Sequence, residues 1–172
     1  MESRAPAREA GFSLLEGLIT MLLIAIAMLG AAQLQAYSMK VNQAGQFRSQ
    51  AVILGMDLLE RVEANNEGAI AGAYVATLPT AISAPGCNQN QCSAAQMATY
   101  DLYQFQEALR RQLPDTSATI TFAGTGPYTY TVLVSWRERA ARPKSSKTAD
   151  DSKTEAFSYT VSRTVYNKAS AL

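Results

Sequence analysis

From Gly17 to Met39 the chain carries no Asp, Glu, Lys or Arg, and this apolar run dominates its pattern. At about 1.5 Å rise per residue, a helix of that length reaches roughly 35 Å, enough to cross a hydrocarbon core of about 30 Å. Beyond Lys40 the pattern turns amphipathic. Ala44, Phe47, Ala51, Leu54, Leu58 and Val62 follow one another at steps of three or four, which marks one helical face. Val52, Met56 and Leu59 widen the stripe, and Arg48, Gln50, Asp57, Arg61 and Glu63 supply polar positions. The spacing predicts a single helix over 12–65, lipid-facing first and core-facing second. Asn65-Asn66-Glu67-Gly68 is expected to stop it. Gly17, Gly30, Gly45 and Gly55 are weak helical positions, about 1 kcal/mol each relative to alanine. Close packing explains them better than local melting on entry into an assembly.

Downstream the period changes twice. Ser93-Ala94-Ala95-Gln96 fits a capping box, in which two side chains satisfy orphan backbone donors. Ala98, Leu102, Phe105 and Leu109 continue at helical spacing until Pro114 closes the segment. Tyr100, Tyr103 and Phe105 read as core and rim rather than a ligand cage. Alternation then takes over. Ile120 and Phe122 share one face, and Gly124 to Pro127 is turn chemistry. Tyr128, Tyr130, Val132, Val134 and Trp136 alternate with Thr129, Thr131 and Ser135, the mark of a half-buried strand. Phe157, Tyr159, Val161 and Val165 repeat the pattern. The expected fold is α+β, a small antiparallel β-sheet packed on the apolar face of the first helix. Residues 138–155, rich in charges and containing Pro143, read as a solvated loop; a contact loop for a neighbouring subunit is the alternative.

Composition narrows the function. The 172 residues are 48% hydrophobic, enough for a core. Charged residues, at 17%, are fewer than usual because of the apolar run. A net charge of +1 gives no nucleic-acid signal. The basic positions Arg137, Arg139, Arg142, Lys144 and Lys147 are interspersed with acids, which blunts any attraction to DNA. Histidine is absent, which removes the commonest general base, the hydrolase triads and most zinc sites. No catalytic residues, metal site, cofactor or small-molecule substrate are expected. Cys87 and Cys92 enclose Asn88-Gln89-Asn90-Gln91. If this region is exported, the two thiols are expected to form a disulfide; free thiols or a metal site are the alternatives, and two cysteines are too few for a four-thiolate centre.

The apolar run itself admits three readings: a removable signal with a small-residue site at Gly30-Ala31-Ala32, a plain anchor, or a specialised export segment. Arg4 and Arg8 in the polar head favour a cytoplasmic N-terminus. Glu16 tips the balance. A carboxylate at the front of an apolar helix is expensive without a cation, about 2–3 kcal/mol at mid-membrane and less near an end. Snorkelling toward the head groups is the plain alternative.

Gly11-Phe12-Ser13-Leu14-Leu15-Glu16 followed by an apolar helix closely resembles the prepilin cleavage and methylation motif of type IV pilins. The resemblance implies a type IV pilin-like fold, with residues 1–11 as leader, 12–39 as transmembrane assembly helix and 40–172 as a periplasmic head. It implies cleavage by a prepilin peptidase between Gly11 and Phe12, N-methylation of Phe12, and Glu16 as the fifth mature residue. Glu16 is then expected to pair with a neighbouring subunit's N-terminal amine. The proline that many major pilins carry in this helix is absent here. Asp57-Leu58-Leu59-Glu60-Arg61-Val62 with Ala64-Asn65, the segment from Cys87 to Leu102, and Leu113-Pro114 resemble minor pilins of the PilV type. That likeness, from Gly11 to Pro114, implies partners among other minor pilins and the major pilin, and a tip adhesin. It also implies inner-membrane anchoring before incorporation in the pilus, a priming role in assembly, and so twitching motility and adhesion. A type II secretion pseudopilin and a DNA- or surface-binding minor pilin are the competing readings.

Overall fold

The computed structural model describes residues 14–139 and 154–167. Gly11, Phe12 and most of the 138–155 loop lie outside them. The chain divides into two compact units, Met1–Val41 and Asn42–Leu172. The first contributes the beginning of helix α1, Leu14–Ala64. Its side chains are exposed, among them Leu18, Leu22, Ile26 and Leu29. Thr20, a polar intruder in this run, donates its hydroxyl proton to the Gly17 carbonyl at 2.9 Å, so this hydroxyl is not left unmet in an apolar setting.

In the second unit the heptad-like stripe becomes the core. Ala51, Leu54, Leu58, Leu59 and Val62 are buried, whereas Phe47 is half-buried and Met56 stays exposed. α1 stops at Ala64, where the Asn65–Gly68 segment is expected to end it, and the chain is redirected there. Asn65 caps a second helix, α2, Asn66–Ile70, and its side chain accepts from the Gly68 N–H. A side chain on Gly68 would lie 2.6 Å from Asn65 Nδ2 and 3.0 Å from the Ala94 carbonyl oxygen, so glycine is what lets this corner close. The same turn chemistry that ends one helix begins the next.

Helix α3, Ala94–Gln112, starts with the capping box of Ser93 and Gln96 and buries Ala98, Leu102, Phe105 and Leu109. Tyr100 and Tyr103 are half-buried. Four strands follow the order β1-β2-β3-β4, with every pairing antiparallel. They are β1, Ala76–Leu78; β2, Ser117–Ala123; β3, Tyr128–Arg139; and β4, Thr154–Val165. β1 was not visible in the pattern, because three residues carry no period. The two ends of the expected 138–155 loop belong to β3 and β4, whose register runs unbroken from Tyr128 opposite Val165 to Arg139 opposite Thr154. Ala118, Ile120, Tyr130, Val132, Val134, Trp136 and Val165 form the inner face of the sheet, with the buried faces of α1 and α3 in the same core.

Within this unit α1 lies along β4. The Arg48 guanidinium sits 4.9 Å above the Phe157 ring, a cation–π contact. Farther along, a Cβ on Gly55 would come 3.1 Å from Val161 Cγ1. At the end of α1, Arg163 and Glu63 pair at 2.8 Å, and Asn66 donates to the Tyr166 carbonyl at 2.8 Å.

Candidate assembly site

Glu16 occupies the first turn of α1, where the helix dipole favours an anion. Its side chain is exposed, and it makes no ion pair or hydrogen bond among the described residues. α1 is long and apolar enough to cross a membrane, with a window of mean hydropathy 2.2. A carboxylate at the front of such a helix is available for a cation supplied by another chain. Cβ atoms on Gly17, Gly30 and Gly45 would meet nothing within 4 Å, unlike the one on Gly55. Among the described residues, the packing expected at all four glycines is therefore met only at Gly55.

The head is tied together at the junction of α1, α2 and α3 by a polar network. Tyr74, fully buried, donates to Asp101 Oδ2 at 2.6 Å. Arg61 pairs with Asp57 at 2.9 Å and with Asp101 at 3.4 Å. Asn65 Nδ2 donates to the Ala94 carbonyl at 2.7 Å and to the Tyr74 hydroxyl at 3.1 Å. Burial raises the Tyr74 phenol, and its hydrogen bond to Asp101 raises it further. Burial also pushes Tyr130 up to about 12, while its hydroxyl donates to the Ala69 carbonyl at 2.7 Å. Burial alone would lower the Arg61 guanidinium, but attraction and hydrogen bonding to Asp57, then to Asp101, outweigh it and raise the group. These groups tie α1, α2 and α3 to one another. Tyr74, Asn65 and Asp101 escaped the sequence reading as a unit. The available signal was Asp101, an acid falling beside Ala98, Leu102 and Phe105 on a core-facing stripe.

Cys87 and Cys92 are joined, with Cα atoms 5.5 Å apart. The bridge ends one residue before the Ser93 cap, so it tethers the chain at the start of α3. Trp136 Nε1 donates to buried Glu138 at 2.6 Å. Of the basic positions considered for DNA, Arg137 is exposed, the Arg139 side chain is not described, and Arg142, Lys144 and Lys147 lie outside the described residues. Among the described residues, no group of three His, Cys, Asp or Glu side chains is placed to hold a metal ion.

The geometry is that of an exposed apolar helix with an acid in its first turn that has no partner among the described residues, continued by a core-facing stretch in an α+β head. Residues 6–32 match the prokaryotic N-terminal methylation motif. Residues 33–103, which follow without a gap, match the family described as Type IV pilin Tt1218. Over these two segments the chain is similar to type IV pilins, and the methylation motif implies processing by a prepilin peptidase and assembly with other pilins. They also fit anchoring in the inner membrane followed by entry into a pilus. No curated protein and no solved structure matches the chain.

Proposed function

We propose that the chain is a minor type IV pilin of the PilV type, made as a membrane-anchored precursor with a periplasmic head. Cleavage between Gly11 and Phe12 frees an amine that is methylated on Phe12. The mature helix then enters the filament bundle, where Glu16 pairs with the N-terminal amine of a neighbouring subunit. The observation that carries this reading is Glu16, without a partner among the described residues, at the front of an exposed apolar helix and inside the segment 6–32 that matches the methylation motif. In an apolar bundle an ammonium and a carboxylate stabilise each other's charged forms, whereas either alone is costly. The head joins other minor pilins in a tip complex that primes assembly, supports twitching motility and presents an adhesin.

The N-terminal mass of the chain, from membranes and from sheared pili, tests this pathway. A species beginning with methylated Phe12, present only with active prepilin peptidase, is the expected result. Retention of Met1 in every fraction would indicate a plain anchor, and a cut near Ala32 an ordinary secreted protein. Co-purification with a secretion apparatus rather than with retractable pili would assign the subunit to a pseudopilus.

A further inference from the structure

The geometry points to a pocket in the head, between the end of β1 and the exit of α3, that receives one tyrosine side chain of a different protein. The pocket stands on the head alone. Only the source of the tyrosine rests on the minor-pilin reading.

The pocket forms where β1 and β2 part. Their ladder ends at Leu78 opposite Ala118, and the next residue, Pro79, has no backbone N–H with which to continue it. Thr80 then gives its N–H to Gln106 Oε1 on α3 at 2.8 Å, so the chain leaves the sheet and is fastened to the helix. Pro79 and Ser117 border a cavity of about 220 Å³ at this parting. Leu78, Leu109 and Leu113, all buried, give it apolar walls, and exposed Arg110 stands at its rim.

Gln106 supplies the polar group. It falls on the core-facing stripe of α3, four residues after Leu102 and three before Leu109, and only 5% of its surface is exposed. Because Oε1 accepts from Thr80, the other end of the amide is the donor, Nε2. Nε2 makes no hydrogen bond among the described residues. No fully buried side-chain nitrogen or oxygen among them lacks a partner, so this amide reaches the surface of the cavity that Gln106 lines. A donor held in so buried a place calls for an acceptor, since leaving it unmet is costly.

Size and chemistry select the occupant. Small-molecule sites enclose roughly 300–1,000 Å³, so this cavity is matched to a single large side chain. The leucine walls favour an apolar body, and Gln106 Nε2 requires an acceptor on it. Leucine and phenylalanine side chains have no acceptor, tryptophan only donates, and the methionine sulfur accepts weakly. Tyrosine joins an apolar ring to a phenolic oxygen that accepts, and aromatic anchors of this kind hold interfaces by filling a pocket on the facing surface. The ring lies against Leu78, Leu109 and Leu113 while Nε2 donates to the phenolic oxygen. This chain's own exposed tyrosine on the head is Tyr166. Seating it in a second copy would join unlike patches of like subunits, a contact that propagates without closing and does not suit a minor subunit. The tyrosine therefore comes from a different protein.

The pocket is tested on the full chain in detergent micelles, by NMR of isotope-labelled side-chain amides and leucine methyls. N-acetyl-tyrosinamide is expected to shift the Gln106 amide together with the Leu78, Leu109 and Leu113 methyls, with a Kd of about 1 mM. N-acetyl-phenylalaninamide, which lacks the acceptor, should bind about fivefold more weakly. In Gln106→Met, similar in bulk but without the amide, that preference should disappear. Gln106→Met also loses the bond to Thr80, so its thermal midpoint is measured; if it does not fold, the tyrosine-to-phenylalanine ratio of the wild type decides. No shifts, shifts that miss Gln106, or equal binding of the two amides each overturns the pocket. The source is tested in the cells that make the protein, with the photocrosslinker benzoylphenylalanine placed at Arg110 and the joined peptides sequenced. A crosslink beside a tyrosine of a different protein is the expected result. A crosslink to Tyr166 of a second copy overturns the source, and a crosslink to segments without tyrosine, or none, overturns the assignment. A chain that keeps Met1 in every fraction defeats the pilin reading and leaves the result with the two amides standing.

Discussion

Tyr74 has no exposed surface and gives its hydroxyl proton to Asp101 at 2.6 Å, so phenol and carboxylate depend on each other. Tyr74→Phe removes the donor while Asp101 stays buried beside Arg61. Loss of a buried charge-assisted hydrogen bond is expected to destabilise the head by about 1–3 kcal/mol, read as a lower urea midpoint. The alkaline limb of stability should change as well. In the unfolded chain both tyrosines release their protons near pH 10, but in the fold burial holds Tyr130 to about 12 and raises Tyr74 too. Above about pH 10 the unfolded state therefore binds fewer protons than the folded one, and stability falls as pH rises through the folded values. Below that range the contribution is fully present. Urea midpoints measured across this window should fall less steeply in Tyr74→Phe than in the wild type; equal slopes would show that Tyr74 does not hold its proton. This network was only half legible in the sequence. Asp101 on an apolar stripe announces a buried acid, but its partners lie 27 and 40 positions away, a separation that no local pattern encodes.

Helices and strands were legible where they were long and strictly periodic. α1, α3, β2, β3 and β4 each repeat their period at least twice, and the Ser93–Gln96 capping box places the start of α3 to the residue. Short elements were not. β1 has three residues, and α2 begins from an Asn-rich turn that reads equally well as a helix stop, because asparagine can both end one helix and cap another. The cap can be tested by Ser93→Ala, which should cost about 1 kcal/mol of head stability. Ser93→Asp should restore most of it, and an alanine variant as stable as the wild type would remove the cap from the energetics. The bridge just before it closes a short ring, sequence separation 5, so it constrains the unfolded chain less than a long loop would. The double variant Cys87→Ser/Cys92→Ser should lose about 2 kcal/mol, the lower end of the usual range. Gly55 marks a close approach of α1 to β4, since an added Cβ would stand 3.1 Å from Val161. Gly55→Leu should destabilise the head by about 1–3 kcal/mol through overpacking, whereas Gly45→Ala, with open space around it, should gain up to about 1 kcal/mol from helix propensity. Thermal midpoints of the two variants moving in the same direction would contradict this division.

For the whole molecule, the two units place different demands on α1. In Asn42–Leu172 the helix is stabilised by its own chain, through the buried stripe from Ala51 to Val62. In Met1–Val41 the described side chains find no such core, and on the proposed reading lipid or other subunits cover their apolar surface. Glu16 separates these two environments. In the lipid bilayer it sits in the first turn of the apolar helix, where it can reach the head-group layer and the helix dipole favours its charge. Inside a bundle of such helices it is far from water, and only an ammonium group nearby makes the charged form affordable. Glu16→Gln keeps the shape of the side chain and its hydrogen-bonding capacity but cannot complement an amine. On the proposed pathway, in which the peptidase acts on the membrane-embedded precursor before any bundle forms, cleavage after Gly11 should proceed almost normally in this variant. Incorporation into sheared pili should fall by about tenfold or more, equivalent to losing about 1.4 kcal/mol or more of differential stabilisation. Glu16→Asp, one methylene shorter, should recover part of it. The paired measurement is decisive because it separates the two steps: N-terminal mass reports processing, and the ratio of filament to membrane protein reports assembly. Normal incorporation of Glu16→Gln would take the carboxylate charge out of the assembly mechanism and leave helix packing alone to recruit the subunit.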